Sequence, residues 1–389
     1  MSRPRFQYRL PNFTAPPFSG APDARFTPAP ADGVLPDGFF STTNLPTYVK
    51  LSGGWWRPRL PRMDCVIVHN PPDDLVVLEP RRVHRGDKVA IGATEDGSEG
   101  IYIHSEGFLG GTHSANEFRF MQTEVSRERP VDYSVLAQLL GEEKERGGKI
   151  LWVIGPALVH ARAREDMIWF IENGYVGALL GGNAVAVHDL EAAIFGTTLG
   201  MSSSGEGVEG GHALHMRAIN AVRRAGSIEA AVRQGIATSG IMHALVTHHI
   251  PYVLAGSIRD DGPLPDVIPD TLAAQDAMRA HTAVATFAVF VATALHAIAV
   301  GNMLPAFVDS PDPEEVRPLT TVCVDQTEFV VNKLRDRGTH QAYGVVTNAQ
   351  DFMHVLRFYV ERWQQAPPAP PAPPAPPRPP NPTPAPLSR

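Results

Sequence analysis

Cysteine is nearly absent: Cys65 and Cys323 are the only two in 389 residues. Two thiols are too few for a disulfide framework or a cysteine-built zinc site, so a reducing, cytoplasmic compartment is expected. An excess of basic charge is missing as well. Lys and Arg number 34 against 41 Asp and Glu, a formal net charge of −7, whereas a nucleic-acid binder normally shows a basic excess or stripe. No apolar run precedes Pro11, so the start does not read as a secretory signal. Between Ala280 and Val308 there is no Asp, Glu, Lys or Arg. A membrane helix needs about 20 apolar residues, but this window contains His281, His296, Asn302 and Pro305, and Thr286–Thr293 is β-branched and aromatic. It reads as a buried strand in a sheet covered on both faces, and no membrane span is expected. The phosphate-loop pattern, the G-x-G-x-x-G fingerprint after a strand, the G-x-S-x-G elbow and H-E-x-x-H are all absent.

What the chain has in quantity is proline, unevenly placed. Of 37 prolines, 8 lie in residues 1–36 and 13 in residues 366–389. Residues 1–36 therefore read as an extended arm with little fixed structure. The Ala-Pro-Pro repeats from Ala366 read as a disordered, polyproline-II-like tail. The 43% apolar content in between suits a globular core.

Residues 37–130 look β-rich. Tyr48–Leu51 and Trp55–Arg57 flank Ser52-Gly53-Gly54, a hairpin signal. Cys65–His69, Leu75–Leu78, Val89–Ile91 and Gly100–His104 read as further strands. Over residues 131–365 strands alternate with helices. Strands are expected at Lys149–Ile154, Val176–Leu180, Tyr252–Ala255, Thr286–Ala292, Thr321–Val324 and Tyr343–Thr347. Helices are expected at Asp132–Arg146, Arg164–Asn173, Asp189–Phe195, His212–Ala225, Ser227–Gln234, Leu272–Arg279, Glu328–Arg337 and Ala349–Glu361. Such alternation means an α/β fold with a parallel sheet and helices on both faces.

Ligands of such sheets bind at the carboxyl ends of the strands. Small and polar residues gather after each expected strand: Gly155-Pro156, Gly181-Gly182-Asn183, Gly256–Asp261, Thr293–His296, Asp325 and Thr347-Asn348. Glycines let a backbone approach a pyrophosphate, helix N-termini favour anions, and a carboxylate such as Asp325 suits ribose hydroxyls, so a nucleotide-sized ligand is implied. Gly205–Gly211 carries two glutamates that would repel phosphate and reads as a mobile loop. Fifteen histidines include His212 and His215 on one helix face, without the spacing of a metal site. Cys65, in an apolar run, reads as a buried small hydrophobe rather than a nucleophile. The most chemically loaded stretch is Arg259-Asp260-Asp261-Gly262, in which an arginine can hold a substrate carboxylate and an aspartate an ammonium.

Several of these segments resemble the archaeal-type ornithine cyclodeaminases and the C-terminal module of the bifunctional arginine dihydrolase/ornithine cyclodeaminases. They are Ser41–Val49, Met63–Ile67, Gly182–Asp189, Glu209–His212, Arg217–Asn220, Leu254–Val267 and His296–Pro305, so the likeness spans about residues 38–355. The resemblance implies an NAD-binding fold similar to deoxyhypusine synthase, a homo-oligomer (dimer or tetramer) and a small amino-acid substrate. The implied reaction takes L-ornithine to L-proline and ammonia, with a hydride lent to bound NAD and returned. Matching positions imply cofactor contacts at Asn183, Ala184, Asp261, Thr293, Ala294, Leu295, His296 and Asp325. For the chemistry, Arg259 is the candidate carboxylate anchor, Asp260 the base or ammonium partner and His212 the proton shuttle. Two departures stand out. The family carries a further lobe ahead of Ser41, where this sequence has its proline-rich arm, and Val159–Ala163 replaces a His-Thr-Gly pattern. An NAD-dependent amino-acid or amine dehydrogenase, and a non-catalytic NAD-binding protein that docks a partner lobe, are the alternative readings.

Overall fold

The structure is a computed structural model and describes residues 8–72, 74–108, 132–202, 204–260, 262–310, 315–328, 331 and 341–365. The first part is built from seven short strands: β1 (Arg25–Pro28), β2 (Thr47–Leu51), β3 (Gly54–Trp56), β4 (Val66–Asn70), β5 (Asp74–Leu78), β6 (Lys88–Ile91) and β7 (Ile101–Ile103). They form a four-stranded sheet in the order β1-β6-β4-β5 and a three-stranded sheet in the order β3-β2-β7. The β2–β3 hairpin turns at Ser52 and Gly53, both at positive φ, as a tight antiparallel turn requires. Val49 and Ile101 from one sheet and Cys65, Ile67, Val77 and Ala90 from the other share one core.

The proline-rich arm is less free than its composition suggests. Arg25–Pro28 pairs antiparallel with β6 as an edge strand, where Pro28 is tolerated. Aromatic side chains hold the stretch before it: Phe13 stacks on Trp55 with centroids 5.0 Å apart, and Phe18 meets Tyr102 edge-on at 4.7 Å. Tyr8 Oη lies 2.7 Å from Tyr48 Oη. Aromatic burial thus overrides the proline count. The tail from Ala366 and most of the helix expected at Glu328–Arg337 lie outside the described residues.

The second part contains β8 (Ile150–Ile154), β9 (Ala178–Gly182), β10 (Tyr252–Ala255), β11 (Val267–Ile268) and β12 (Phe287–Val291). β13 (Phe307–Val308) and β14 (Arg317–Pro318) form a small antiparallel pair, followed by β15 (Thr320–Asp325) and β16 (Gln341–Val346). Seven strands make one sheet in the order β11-β10-β9-β8-β12-β15-β16, with every pair parallel. Without the two-residue β11 the order is 3-2-1-4-5-6, that of dinucleotide-binding sheets. Every residue of β8 and β12 is buried, which is why the uncharged window around β12 is so apolar. Among the described residues no helix is long and apolar enough to cross a membrane.

Four of the described helices depart from expectation; Ala157–His160 and Ala294–Met303 are two that the pattern does not announce. The helix after β9 runs over Asn183–Phe195, six residues ahead of the expected start. Val185, Ala186 and Val187 are all buried in it, and a helix buried on several sides loses the periodicity by which sequence announces it. The short helix Ile241–Thr247 was not expected at all. Its cap is remote: Asp189 accepts from Ile241 N at 2.9 Å and Met242 N at 2.8 Å, and also from Arg164 Nε at 2.7 Å.

One buried carboxylate joins the two parts. Glu79 pairs with Arg62 at 2.7 Å and Arg82 at 3.0 Å in its own part, and with Arg279 of the helix Thr271–Thr282. Arg57 adds a 2.9 Å pair with Asp309. Burial works to raise the Glu79 carboxyl, but its own backbone and the guanidiniums hold it below the usual range. Removing one partner of a buried ion pair costs about 3–5 kcal/mol. Glu79→Gln should lower unfolding stability by about that much in a urea titration at pH 7. The wild type's advantage should be full above the ordinary carboxyl range and fade as pH falls through the lowered folded value.

Candidate functional site

The chain winds outward from β8 through β9 to β11, then returns to place β12 on the other side of β8. The strand order reverses between β8 and β12, and a sheet of this kind binds ligands outside the carboxyl ends at such a point. The backbones there touch. Gly155 N donates to Val291 O at 2.9 Å, and a Cβ on Gly155 would lie 1.9 Å from Ala292 O. This glycine therefore answers first to packing between two strands. Ala292 itself sits at φ 54°, bending the chain away from β12.

Two long helices open at this edge, Asn183–Phe195 after β9 and Ala294–Met303 after β12. Neither has a side-chain cap. Asp132, Ser227 and Asp270 do cap the helices that begin after them. Uncapped first-turn N–H groups are donors without an intrahelical partner, and the helix dipole adds positive character to them. Ala184, Ala294 and Leu295 are exposed on these first turns.

The loop after β10 is fixed from within. Asp260 accepts from Ser257 N at 2.7 Å and from Asn183 Nδ2 at 3.3 Å. Asn183 Oδ1 accepts from Leu264 N at 3.0 Å, and Arg223 donates to Pro263 O through Nη2 at 2.8 Å. Asn183, at 9% exposure, is thus chiefly a brace for this loop. Ser257, Ile258 and Arg259 remain exposed around Asp260. Asp261 lies outside the described residues.

His296 stands between the two helix openings. Its Cε1 lies 2.8 Å from where a Cβ on Gly182 would be, so Gly182 is needed for the ring to sit there. Its Nδ1 is 3.4 Å from Thr293 Oγ1. Burial pushes the imidazole below its ordinary range, and the Asp260 carboxylate pulls the other way. Asp325 closes β15 next door and accepts from Thr327 N at 2.9 Å and Thr327 Oγ1 at 2.8 Å.

Of the sequence candidates, Asn183, Ala184, Asp260, Thr293, Ala294, Leu295, His296 and Asp325 all come to this edge, with Arg259 exposed on its rim. His212 lies at the other end of a helix from the loop after β10. It is exposed on the turn Gly211–Ala213, ahead of the helix Leu214–Ala225 whose far end carries Arg223 to the loop. Its 12 residues at 1.5 Å each make that helix about 18 Å long.

Sequence reasoning missed the buried acids of the segment Gly182–Asp189 and its continuation. Asp189 braces the helix Ile241–Thr247, as above. Glu191, with no exposure, accepts from Thr197 Oγ1 at 2.9 Å, Leu199 N at 3.2 Å and Gly200 N at 2.9 Å. Glu191 thus pins the stretch just ahead of Gly205–Gly211, the segment expected to be mobile, and pairing of Met201 with Gly207 folds that segment back. Glu191 also lies 3.6 Å from His188, whose ring packs on His160 with centroids 4.4 Å apart. Cys65 and Cys323 are buried and free, their thiols pushed up by burial to about 11 and about 12, so neither is a nucleophile. No group of three or more His, Cys, Asp or Glu among the described residues is placed to hold a metal ion.

A family described as "Arginine dihydrolase ArgZ-like, C-terminal, Rossmann fold" matches residues 134–356, and its companion "C-terminal, first region" matches residues 46–135. The chain belongs to the ArgZ-like C-terminal family. The ornithine cyclodeaminase of Methanopyrus kandleri, an archaeal relative, is 45% identical over 339 residues, covering 86% of this chain and 77% of the relative. AgrE of a Nostoc species, a bifunctional arginine dihydrolase/ornithine cyclodeaminase, is 39% identical over 86% of this chain but only 46% of its own length. Among solved structures, a LOR/SDH protein from Methanococcus maripaludis superposes with a TM-score of 0.79 at 40% identity, over 88% of this chain and 99% of that one. A ternary complex of AgrE with ornithine and NAD+ superposes with a TM-score of 0.56 at 35% identity, over 89% of this chain and 47% of that one. The boundary between the two family regions falls beside Asp132, the cap of the first sheet-domain helix.

His188 supplies a pH test of the scaffold beneath the crevice. Burial and the neighbouring His160 push its imidazole down to about 4. The unfolded chain binds a proton there before the folded chain does, so stability falls as pH drops from the ordinary histidine range toward 4. His188→Gln should flatten that part of a stability–pH curve measured by urea unfolding, with little change at pH 8.

Proposed function

We propose that this chain binds NAD at the carboxyl ends of β8, β9, β12 and β15 and converts L-ornithine to L-proline and ammonia. The observation that carries the reading is the meeting of two uncapped helix N-termini at the point where the strand order reverses. The relatives' names, and the AgrE complex with ornithine and NAD+, supply the substrate and the cofactor.

The first-turn N–H groups of Asn183–Phe195 and Ala294–Met303 would take the pyrophosphate, with Ala184, Ala294 and Leu295 offering no carboxylate to repel it. Asp325 would hold ribose hydroxyls, and the Thr293–His296 turn would line the reacting end. Bound NAD would supply a hydride acceptor that gives the hydride back, so the reaction yields no net reduction. Arg259 anchors the substrate carboxylate, a role its exposed guanidinium is free to take. Asp260 faces the substrate's ammonium end, held in place by Ser257 and Asn183. Asp261 follows it in the same loop and is assigned to the cofactor. The exposure of Ile258 and Leu295, at 106% and 70%, fits a rim that a second copy of the chain covers. A homo-oligomer working in the cytoplasm is therefore part of the proposal.

Protein purified without added cofactor should release NAD on denaturation. With L-ornithine it should form proline and ammonia in equal amounts without accumulating NADH. NADH rising with ornithine would mark a dehydrogenase instead, and bound NAD without turnover would remove the ornithine assignment.

A further inference from the structure

The proposed reaction has a proton balance that the anchoring roles given above to Arg259 and Asp260 do not serve. Ornithine enters with ammonium groups at both nitrogens, and proline leaves with two hydrogens on its ring nitrogen while ammonium carries four. One proton must therefore travel from the δ-nitrogen, which has to be neutral to attack C2, to the α-nitrogen, which departs. The hydride leaves C2 and comes back to it, so no electron is left over. The carrier of that proton must be neutral near pH 7, close to the reacting carbon, and able to accept and then donate at one atom.

We propose that His296 Nε2 carries this proton and that the Asp260 carboxylate favours the protonated ring. The proposal rests on the reading above. His296 sits in the first turn of the helix after β12, against the backbone of Gly182 at the end of β9, and Nδ1 faces Thr293 Oγ1. Among the described residues Nε2 has no hydrogen-bond partner in the protein, and it is not sealed in the interior. Asp260 is the only charged group among the described residues acting on the ring, from the loop after β10. Its two oxygens are held by Ser257 N and Asn183 Nδ2, so it is fixed in place. The helix Ala294–Met303 brings no charged residue of its own. The α-ammonium first gives a proton to solvent, so that hydride loss from C2 leaves the substrate iminium. Neutral imidazole takes a proton from the δ-ammonium, and the freed δ-amine attacks C2. The imidazolium returns its proton to the α-nitrogen, which leaves as ammonia while the ring nitrogen gives a proton to solvent and forms the cyclic iminium. After hydride returns to C2, the proline nitrogen and ammonia take up the two solvent protons. The histidine ends as it began.

The test uses the full chain with bound NAD. His296→Gln and the smaller His296→Asn should each lower kcat about 10²- to 10⁴-fold, the usual worth of a positioned proton carrier. KM for ornithine should stay within about threefold, and so should NAD affinity measured by fluorescence titration of the stripped protein. The acid limb of the wild-type kcat/KM profile should lie below the ordinary histidine range and vanish in both variants. Asp260→Asn should move that limb to lower pH, because the carboxylate favours the protonated ring. A His296 variant that keeps the acid limb and kcat within threefold overturns the proposal. So does one whose defect is confined to NAD affinity, which would leave His296 a cofactor contact. A wild type that makes no proline from ornithine fails the underlying reading and takes the proposal with it. If one variant does not fold, the other and the Asp260→Asn shift decide.

Discussion

The close approach of β8 and β12 is the constraint on which the rest depends. These two strands are buried along their whole length and leave the sheet together at Gly155 and Ala292. A side chain at residue 155 would collide with the Ala292 carbonyl, so the two loops can diverge only beyond that point. Their divergence, one toward Pro156 and the other toward Thr293, opens the crevice. Since every strand of the sheet is parallel, every following loop adds its residues to the same edge.

One helix organises that edge. Asn183 at its start braces the loop after β10, Asp189 in its middle caps a distant helix, and Glu191 near its end pins the segment from Thr197 to Gly200. Buried acids of this kind stabilise only when their hydrogen bonds are complete, and here backbone N–H groups and Arg164 complete them. The segment Gly182–Asp189 is thus largely scaffold, with Ala184 exposed near its start. The β-rich part attaches through Glu79 and Arg57, to the helix Thr271–Thr282 and to Asp309, and leaves the carboxyl-end crevice uncovered by these bonds.

Much of this was legible in the residues. The order of strands and helices follows from short apolar runs set between amphipathic segments, and the parallel sheet follows from their alternation. The gathering of Asn183, Asp260, Thr293–His296 and Asp325 needed only the rule that ligands meet strand ends. What escaped was long-range. The cap of Ile241–Thr247 comes from Asp189, 52 residues earlier, and no local pattern announces it. The early start of Asn183–Phe195 is masked because burial all round erases periodicity. The order in the arm comes from Phe13 and Phe18 finding Trp55 and Tyr102, partners that composition does not reveal.

The central claim is that one crevice removes a hydride from a carbon and returns it to the same carbon. L-Ornithine carrying deuterium at C2 tests this directly, with the proline examined by mass spectrometry and proton NMR. The account predicts proline that keeps its deuterium at C2, with none in the solvent or in free NADH. Proline with ordinary hydrogen at C2, or deuterium collected in released NADH, would contradict it.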